Sequence, residues 1–244
     1  GSGSTDGFQI GADGMLKECT IHFQHEGKGG TKRQTGPHAH SVNITKDGKF
    51  AIVADLGLDK LFVYKLDAAT GKIEPNDPPS CPTAAGAGPR HFAFHPNGKL
   101  AFVINELDST LSSLSFDAAK GELKTLKTVS TLQKEVKGNS TAEVVVHTSG
   151  KFVYGSNRGH NSIVAYKLDE KTGDLAFVGY GIEGVNTPRN FNIDPTGQYM
   201  IVGSQGTNQL VMFKIDPETG ALKPHGKPIE VGTPICIRFV AIAK

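Results

Sequence analysis

Two turn markers that recur in step along the 244 residues, runs of alternating apolar and polar residues between them, and a count of 30 glycines predict an all-β fold. The period near 50 residues further predicts a β-propeller of four-stranded antiparallel blades. The first marker, a polar residue followed by Gly, falls at Asp47-Gly48, Asn97-Gly98, Ser149-Gly150 and Thr196-Gly197, with spacings of 50, 52 and 47 residues. The second is an Asp followed four residues later by Gly: Asp67/Gly71, Asp117/Gly121, Asp169/Gly173 and Asp216/Gly220. Two markers in register argue against a chance repeat, and helical spacing is absent throughout.

In chain order, residues 1–35 form a partial blade, with TDGFQI as a third strand, Ala12-Asp13-Gly14 as its turn and LKECTIHF as a fourth strand. Four full repeats follow, over 36–87, 88–139, 140–186 and 187–232. The first reads as strands SVNIT, FAIVAD and KLFVYKLD with a fourth after the DAATG turn; the second reads HFAFH, LAFVIN, TLSSLSFD and LKTLKTV. Residues 233–244, TPICIRFVAIAK, are expected to supply a closing first strand. One such unit cannot bury both faces of its sheet, so stability must come from stacking blades around an axis in a single domain of about five blades. A sandwich would not demand repeats in register. A blade completed from both termini would lack its second strand, which leaves two options: a five-bladed ring with one defective blade, or a piece of a larger propeller.

Composition bounds the function. Hydrophobic residues make up 37% and charged residues 20% of the chain, as in globular proteins. A formal net charge of +2 gives no reason to expect a nucleic-acid or membrane partner. Cys19, Cys81 and Cys236 lack CxxC spacing, so neither a disulfide framework nor a thiolate metal site is expected. A reducing compartment suits three such thiols, and no signal-peptide pattern or apolar run of membrane length is read, so a cytoplasmic protein is expected. No metal and no cofactor is called for, because no phosphate loop, nucleotide fingerprint or Ser-His-Asp order stands out.

Superposing the repeats on their turn glycines separates core from site. Val42, Phe92, Val144 and Phe191 share one inner-strand column, and Ile44, Phe94, Val146 and Ile193 another; both are expected to be core. Just before them, one column reads His40, Arg90, Ala142, Arg189 and Ile235, and its neighbour reads Ser41, His91, Glu143, Asn190 and Cys236. At the end of the second strand Leu56, Glu106, Arg158 and Gln205 align. The start of an inner strand and the end of its antiparallel neighbour lie at one edge, so these columns converge on one mouth of a central channel. Arg158 and His160 are placed there also because Gly159 leaves room for a ligand. Arg suits an anionic sugar or acid, and Glu106 or His40 is the candidate base for activating water. Arg90, Arg189, His91 and Arg158 are the candidate substrate-binding residues. His95 is expected to face solvent in its HPNG turn with His147 parallel to it, and His22 and His25 to be polar decoration.

The segments GPHAHSVNI, ADLGLDKLFVYKLD, GPRHFAFHPNGKLAFVINELDST and VYGSNRGHNSI resemble the lactonase family of seven-bladed β-propellers, and the likeness covers essentially the whole chain. The resemblance implies a site of His, Arg, Glu and Arg in motifs matching PHAHS, GPRHF, INELD and TPRNF, which here are His40, Arg90, Glu106 and Arg189. The motif leaves His38 and His40 open; the internal register favours His40. It also implies that about two blades on the N-terminal side are not present. The function expected is hydrolysis of 6-phosphogluconolactone or a similar sugar lactone, with a small anionic sugar lactone or carboxylate as the partner. A carboxymuconate-type cycloisomerase and a non-catalytic binding or scaffold propeller are the alternatives.

Overall fold

The structure is a computed structural model and describes residues 2–67 and 69–240. Strands β1 (Ser4–Ile10) and β2 (Leu16–Gln24) form a two-stranded sheet. Four larger sheets follow, each in plain sequence order, so that consecutive strands are antiparallel neighbours joined by short turns. The first comprises β3 (Ala39–Ile44), β4 (Phe50–Asp55), β5 (Lys60–Asp67) and β6 (Lys72–Pro82). The second comprises β7 (Pro89–Phe94), β8 (Leu100–Asn105), β9 (Thr110–Asp117) and β10 (Glu122–Ser130), and the third β11 (Ser140–Val146), β12 (Phe152–Arg158), β13 (Ser162–Leu168) and β14 (Leu175–Gly181). The fourth comprises β15 (Pro188–Ile193), β16 (Tyr199–Ser204), β17 (Gln209–Ile215) and β18 (Leu222–Pro224), with β19 (Ile229–Glu230) also on β17. The only helical element among the described residues is a single 3₁₀ turn, Gln205–Thr207.

Local chemistry explains the recurring turns. Asp117 Oδ1 accepts the N–H groups of Ala119 and Lys120 at 2.9 and 3.2 Å, and Gly121 N–H closes the turn on the Asp117 carbonyl at 2.7 Å. Asp67 and Asp216 make the same side-chain turn. Gly121 is required twice: its φ is 69°, and a Cβ there would lie 2.4 Å from the Phe50 ring of the preceding blade.

The core lies between blades, as stacking demands. Phe50, Ile52, Ala54, Leu61 and Val63 of the first four-stranded blade pack on Phe92, Ala101, Val103, Leu114 and Phe116 of the second. Leu100, Phe102, Ile104 and Leu111 then pack on Val144, Val153, Val164 and Tyr166 of the third, whose Phe152, Tyr154 and Ile163 meet Phe191, Met200, Val202 and Phe213 of the fourth. Second strands β4 and β8 are buried along their whole length because both faces are covered.

Histidines bridge the same seams. His95 Nε2 donates to the Gly150 carbonyl of the next blade at 2.9 Å while Nδ1 accepts Asn97 N–H at 3.1 Å; His147 repeats this with Gly197 at 2.8 Å and Ser149 N–H at 3.1 Å. His95 is therefore buried, not solvent-facing as its turn sequence suggested, and His147 does parallel it. His25 is buried too, with Nδ1 2.6 Å from Asp55 and Nε2 2.9 Å from the Tyr64 hydroxyl, so it is a core group rather than decoration.

Two core expectations fail. Val42 and Ile44 are 58% and 57% exposed, although Phe92, Val144 and Phe191 of the Val42 column are buried. Among the described residues the face of β3 that carries them has only β1 and β2 across from it, with a cavity of about 730 Å³ between, and no second inner strand covers them. The closing strand also does not form among its described residues, 233–240: the segment runs beside β15, with Ile237 N–H on Asn190 Oδ1 at 2.7 Å, and has no antiparallel partner. Residues 241–244 of that expected strand lie outside the described residues.

Candidate active site

Every inner ladder is interrupted at the same place. The register between first and second strands shifts between Ala39 and Ser41, Pro89 and His91, Thr141 and Val144, and Pro188 and Asn190. His40, Arg90, the Ala142–Glu143 pair and Arg189 occupy these bulges. A bulge sets two residues against one on the partner strand and so re-aims side chains that strict alternation would part. Arg90 and His91, consecutive in sequence, both bear electrostatically on His40 for this reason.

Arg90 is almost fully buried, 2% exposed. Its Nε donates to Glu106 Oε2 at 2.7 Å and its Nη1 to the Ala142 carbonyl at 2.7 Å. Arg158 Nη2 reaches the same Glu106 Oε2 at 3.0 Å and the Thr141 carbonyl at 2.6 Å, and its Nε is buried without a partner. Burial lowers the Arg90 pKa to about 10, and the charges of Arg158 and Arg189 push the same way against Glu106. Arg90 thus stays cationic at neutral pH. Arg189 is half-buried and makes no ion pair among the described residues. One carboxylate among three guanidiniums leaves the mouth electropositive.

Histidines line the other side. His40 sits with its ring centroid 5.2 Å from that of His91 and 5.9 Å from that of His38, and its Nδ1 is buried without a partner. Burial, then Arg90, His91 and His38, press its pKa down to about 3, so it is neutral at physiological pH. His38 donates its backbone N–H to Asp55 Oδ1 at 2.8 Å, and its Nε2 accepts from Arg33 Nη2 at 3.0 Å. Burial and the Arg33 charge lower its pKa as well. Asp55, itself buried against His25, Gly57 N–H and Leu58 N–H, anchors that loop.

His91, next to His40, has partners of its own. Its Nδ1 lies 2.7 Å from Glu143 Oε1, which also accepts Val144 N–H at 3.1 Å, while Glu143 Oε2 accepts from Asn190 Nδ2. His91 and Glu143 line a cavity of about 320 Å³ between inner strands β3, β7 and β11, with Asn192 and Arg238 at its far side.

The structure therefore brings His40, Arg90, Glu106, Arg158 and Arg189 to one edge, with His91 beside them. It does not bring His160 in: that ring turns outward onto Tyr180 and bonds Ser162. Gly159 does not make room for a ligand either, because a Cβ there would meet the Asn139 backbone at 2.8 Å. Sequence reasoning named no role for Glu143 and Asn190, though both stood in the His91 column, where polar groups on an inner strand are the available signal. Among the described residues no three His, Cys, Asp or Glu side chains are arranged to hold a metal ion.

Comparison with known proteins gives a consistent result. Residues 1–239 match the family described as lactonase, 7-bladed beta-propeller. The chain is 35% identical to the 6-phosphogluconolactonase of Bacillus subtilis over 98% of its own length and 68% of that protein, and 34% identical to the 6-phosphogluconolactonase of Formosa agariphila over 78% of its own length and 54% of that one. It superposes on the periplasmic gluconolactonase of Pseudomonas aeruginosa with a TM-score of 0.90 and 31% identity, covering 98% of this chain and 66% of that structure. The chain thus spans between about half and two thirds of these relatives.

Proposed function

Since the chain belongs to the seven-bladed β-propeller lactonase family, we propose that it hydrolyses a sugar lactone to the open acid, with 6-phosphogluconolactone as the substrate best suited to its site. The observation that carries this reading is the pairing of Arg90 and Arg158 on the single carboxylate of Glu106, with the Arg189 charge close enough to act on Arg90. A phosphate beside that cluster meets planar donors that need little reorganisation, because Arg90 and Arg158 are already held by the carbonyls of Ala142 and Thr141.

Glu106 serves in this reading to hold Arg90 and Arg158 at fixed spacing rather than as the base, since both cations sit on its Oε2. His40 is a poor base for the opposite reason: its surroundings oppose the imidazolium it would become. A neutral His40 can still hydrogen-bond the sugar hydroxyls. The free thiols Cys19, Cys81 and Cys236 fit a reducing compartment, so the reaction is assigned to the cytoplasm. No helix among the described residues is long and apolar enough to cross a membrane.

The test is the rate of opening of 6-phosphogluconolactone and of unphosphorylated gluconolactone, each above its spontaneous hydrolysis. Catalysed opening, faster per unit enzyme for the phosphorylated lactone, is expected. Turnover of neither lactone, with isomerisation of a carboxymuconate-like diacid or with no reaction at all, would replace this reading by the cycloisomerase or the binding propeller.

A further inference from the structure

We infer that His91 is the proton acceptor of the reaction, oriented by Glu143 and Asn190 in a relay that crosses three blades. The inference rests on the lactonase reading above and names the group that activates its water. His91 stands on β7, Glu143 on β11 and Asn190 on β15, so each link spans a seam between blades. A carboxylate offers only acceptors, so the 2.7 Å contact to Glu143 Oε1 makes His91 Nδ1 the donor. The lone pair of the neutral ring is then on Nε2, which makes no hydrogen bond with the described residues.

Glu143 is held on every side that would let it rotate. It is 5% exposed, its Oε1 accepts Val144 N–H, its Oε2 accepts from Asn190, and its backbone N–H donates to Ser156 Oγ at 2.9 Å. Asn190 is fixed in turn by Ile237 N–H at 2.7 Å, which settles its amide with Oδ1 as acceptor and Nδ2 toward Glu143. Three polar side chains are not desolvated on inner strands without cost, and none is needed to pair strands. What the arrangement delivers is one partly exposed imidazole, 21% exposed, with a fixed tautomer, lining the cavity of about 320 Å³ with its ring centroid 5.2 Å from that of His40 at the mouth. A base oriented through its other nitrogen by a buried carboxylate is what water activation requires.

The step balances without a further reagent. Water oxygen bonds the lactone carbonyl carbon, one of its protons passes to His91 Nε2, and the carbonyl π pair moves onto oxygen. Collapse of the tetrahedral adduct breaks the bond to the ring oxygen, which takes the proton back from His91. The product is the hydroxy acid, whose carboxyl then ionises to solvent.

Two experiments test the relay. Nitrogen-15 NMR of the ring in the unmutated chain should report His91 with its proton on Nδ1 and its lone pair on Nε2; the opposite tautomer overturns the inference whatever the activity. In steady-state opening of 6-phosphogluconolactone, His91→Ala should lower kcat at least 100-fold with KM changed less than threefold, and added imidazole should restore part of it. Glu143→Gln, which keeps the hydrogen bonds, should lower kcat about tenfold or more. Full kcat in both variants, with an active unmutated chain, removes His91 and leaves the lactonase reading standing. An unmutated chain without lactone turnover removes that reading and the relay with it.

Discussion

Arg90 at the bulge of β7 and Glu106 just past the end of β8 meet at 2.7 Å, so one end of this antiparallel pair carries the ion pair on which the mouth is built. Arg158 from the next blade joins the same oxygen at 3.0 Å. Strand pairing places both groups at one edge, and the bulge lets Arg90 reach across it.

Glu106→Gln keeps an acceptor but removes the charge beside a buried guanidinium. The expected loss of stability is about 1.5–3 kcal/mol, the range for a hydrogen bond to a charged group. Urea unfolding of the two proteins measures it. An unchanged midpoint would mean that the pair contributes nothing net.

His40 makes stability depend on pH in a known direction. Its folded pKa is depressed to about 3 from an ordinary 6.5, so the unfolded chain binds the proton first. The contribution is complete above pH 6.5 and is lost as pH falls from 6.5 toward 3. One proton allows a slope of up to about 1.4 kcal/mol per pH unit, and partial exposure of the ring holds the value below that. Denaturation midpoints between pH 4 and 8 should therefore fall less steeply on the acid side for His40→Asn than for the unmutated chain. Parallel curves would contradict the buried, neutral imidazole.

Removal of a seam histidine should loosen two blades at once. His95→Ala leaves the Gly150 carbonyl without its donor and opens a void beneath Phe102, at an expected cost of about 1–3 kcal/mol. Hydrogen exchange would read it as faster opening at Gly150 and the β8 amides. Unchanged protection there would make the contact incidental.

The repeat was legible because its turns carry the same chemistry each time: the Asp117 and Asp216 side chains cap their own turns, and Gly121 cannot be replaced. Register on those glycines also brought His40, Arg90 and Arg189 into one column, which the structure places on bulges. The bulges themselves have no sequence signal, and the partnering of His91 with Glu143 spans 52 residues across a seam, so the shared polar column hinted at it without giving the contact. Val42 and Ile44 look like core by pattern, but pattern reports a face and not what covers it. His95 sits in a turn sequence, yet the next blade closes over it, a contact 55 residues away that local rules cannot anticipate.

Reading of a lactone's anionic group by the arginine mouth is the property on which the proposed activity turns. Its most direct measurement is kcat/KM for 6-phosphogluconolactone relative to unphosphorylated gluconolactone, in the unmutated chain and in the Arg158→Ala, Arg189→Ala double variant. Two charged contacts at about 1.5–3 kcal/mol each predict that the preference for the phosphorylated lactone collapses by roughly 100-fold or more, with the slower substrate little affected. A preference that survives the double substitution intact would place phosphate recognition elsewhere and contradict the account.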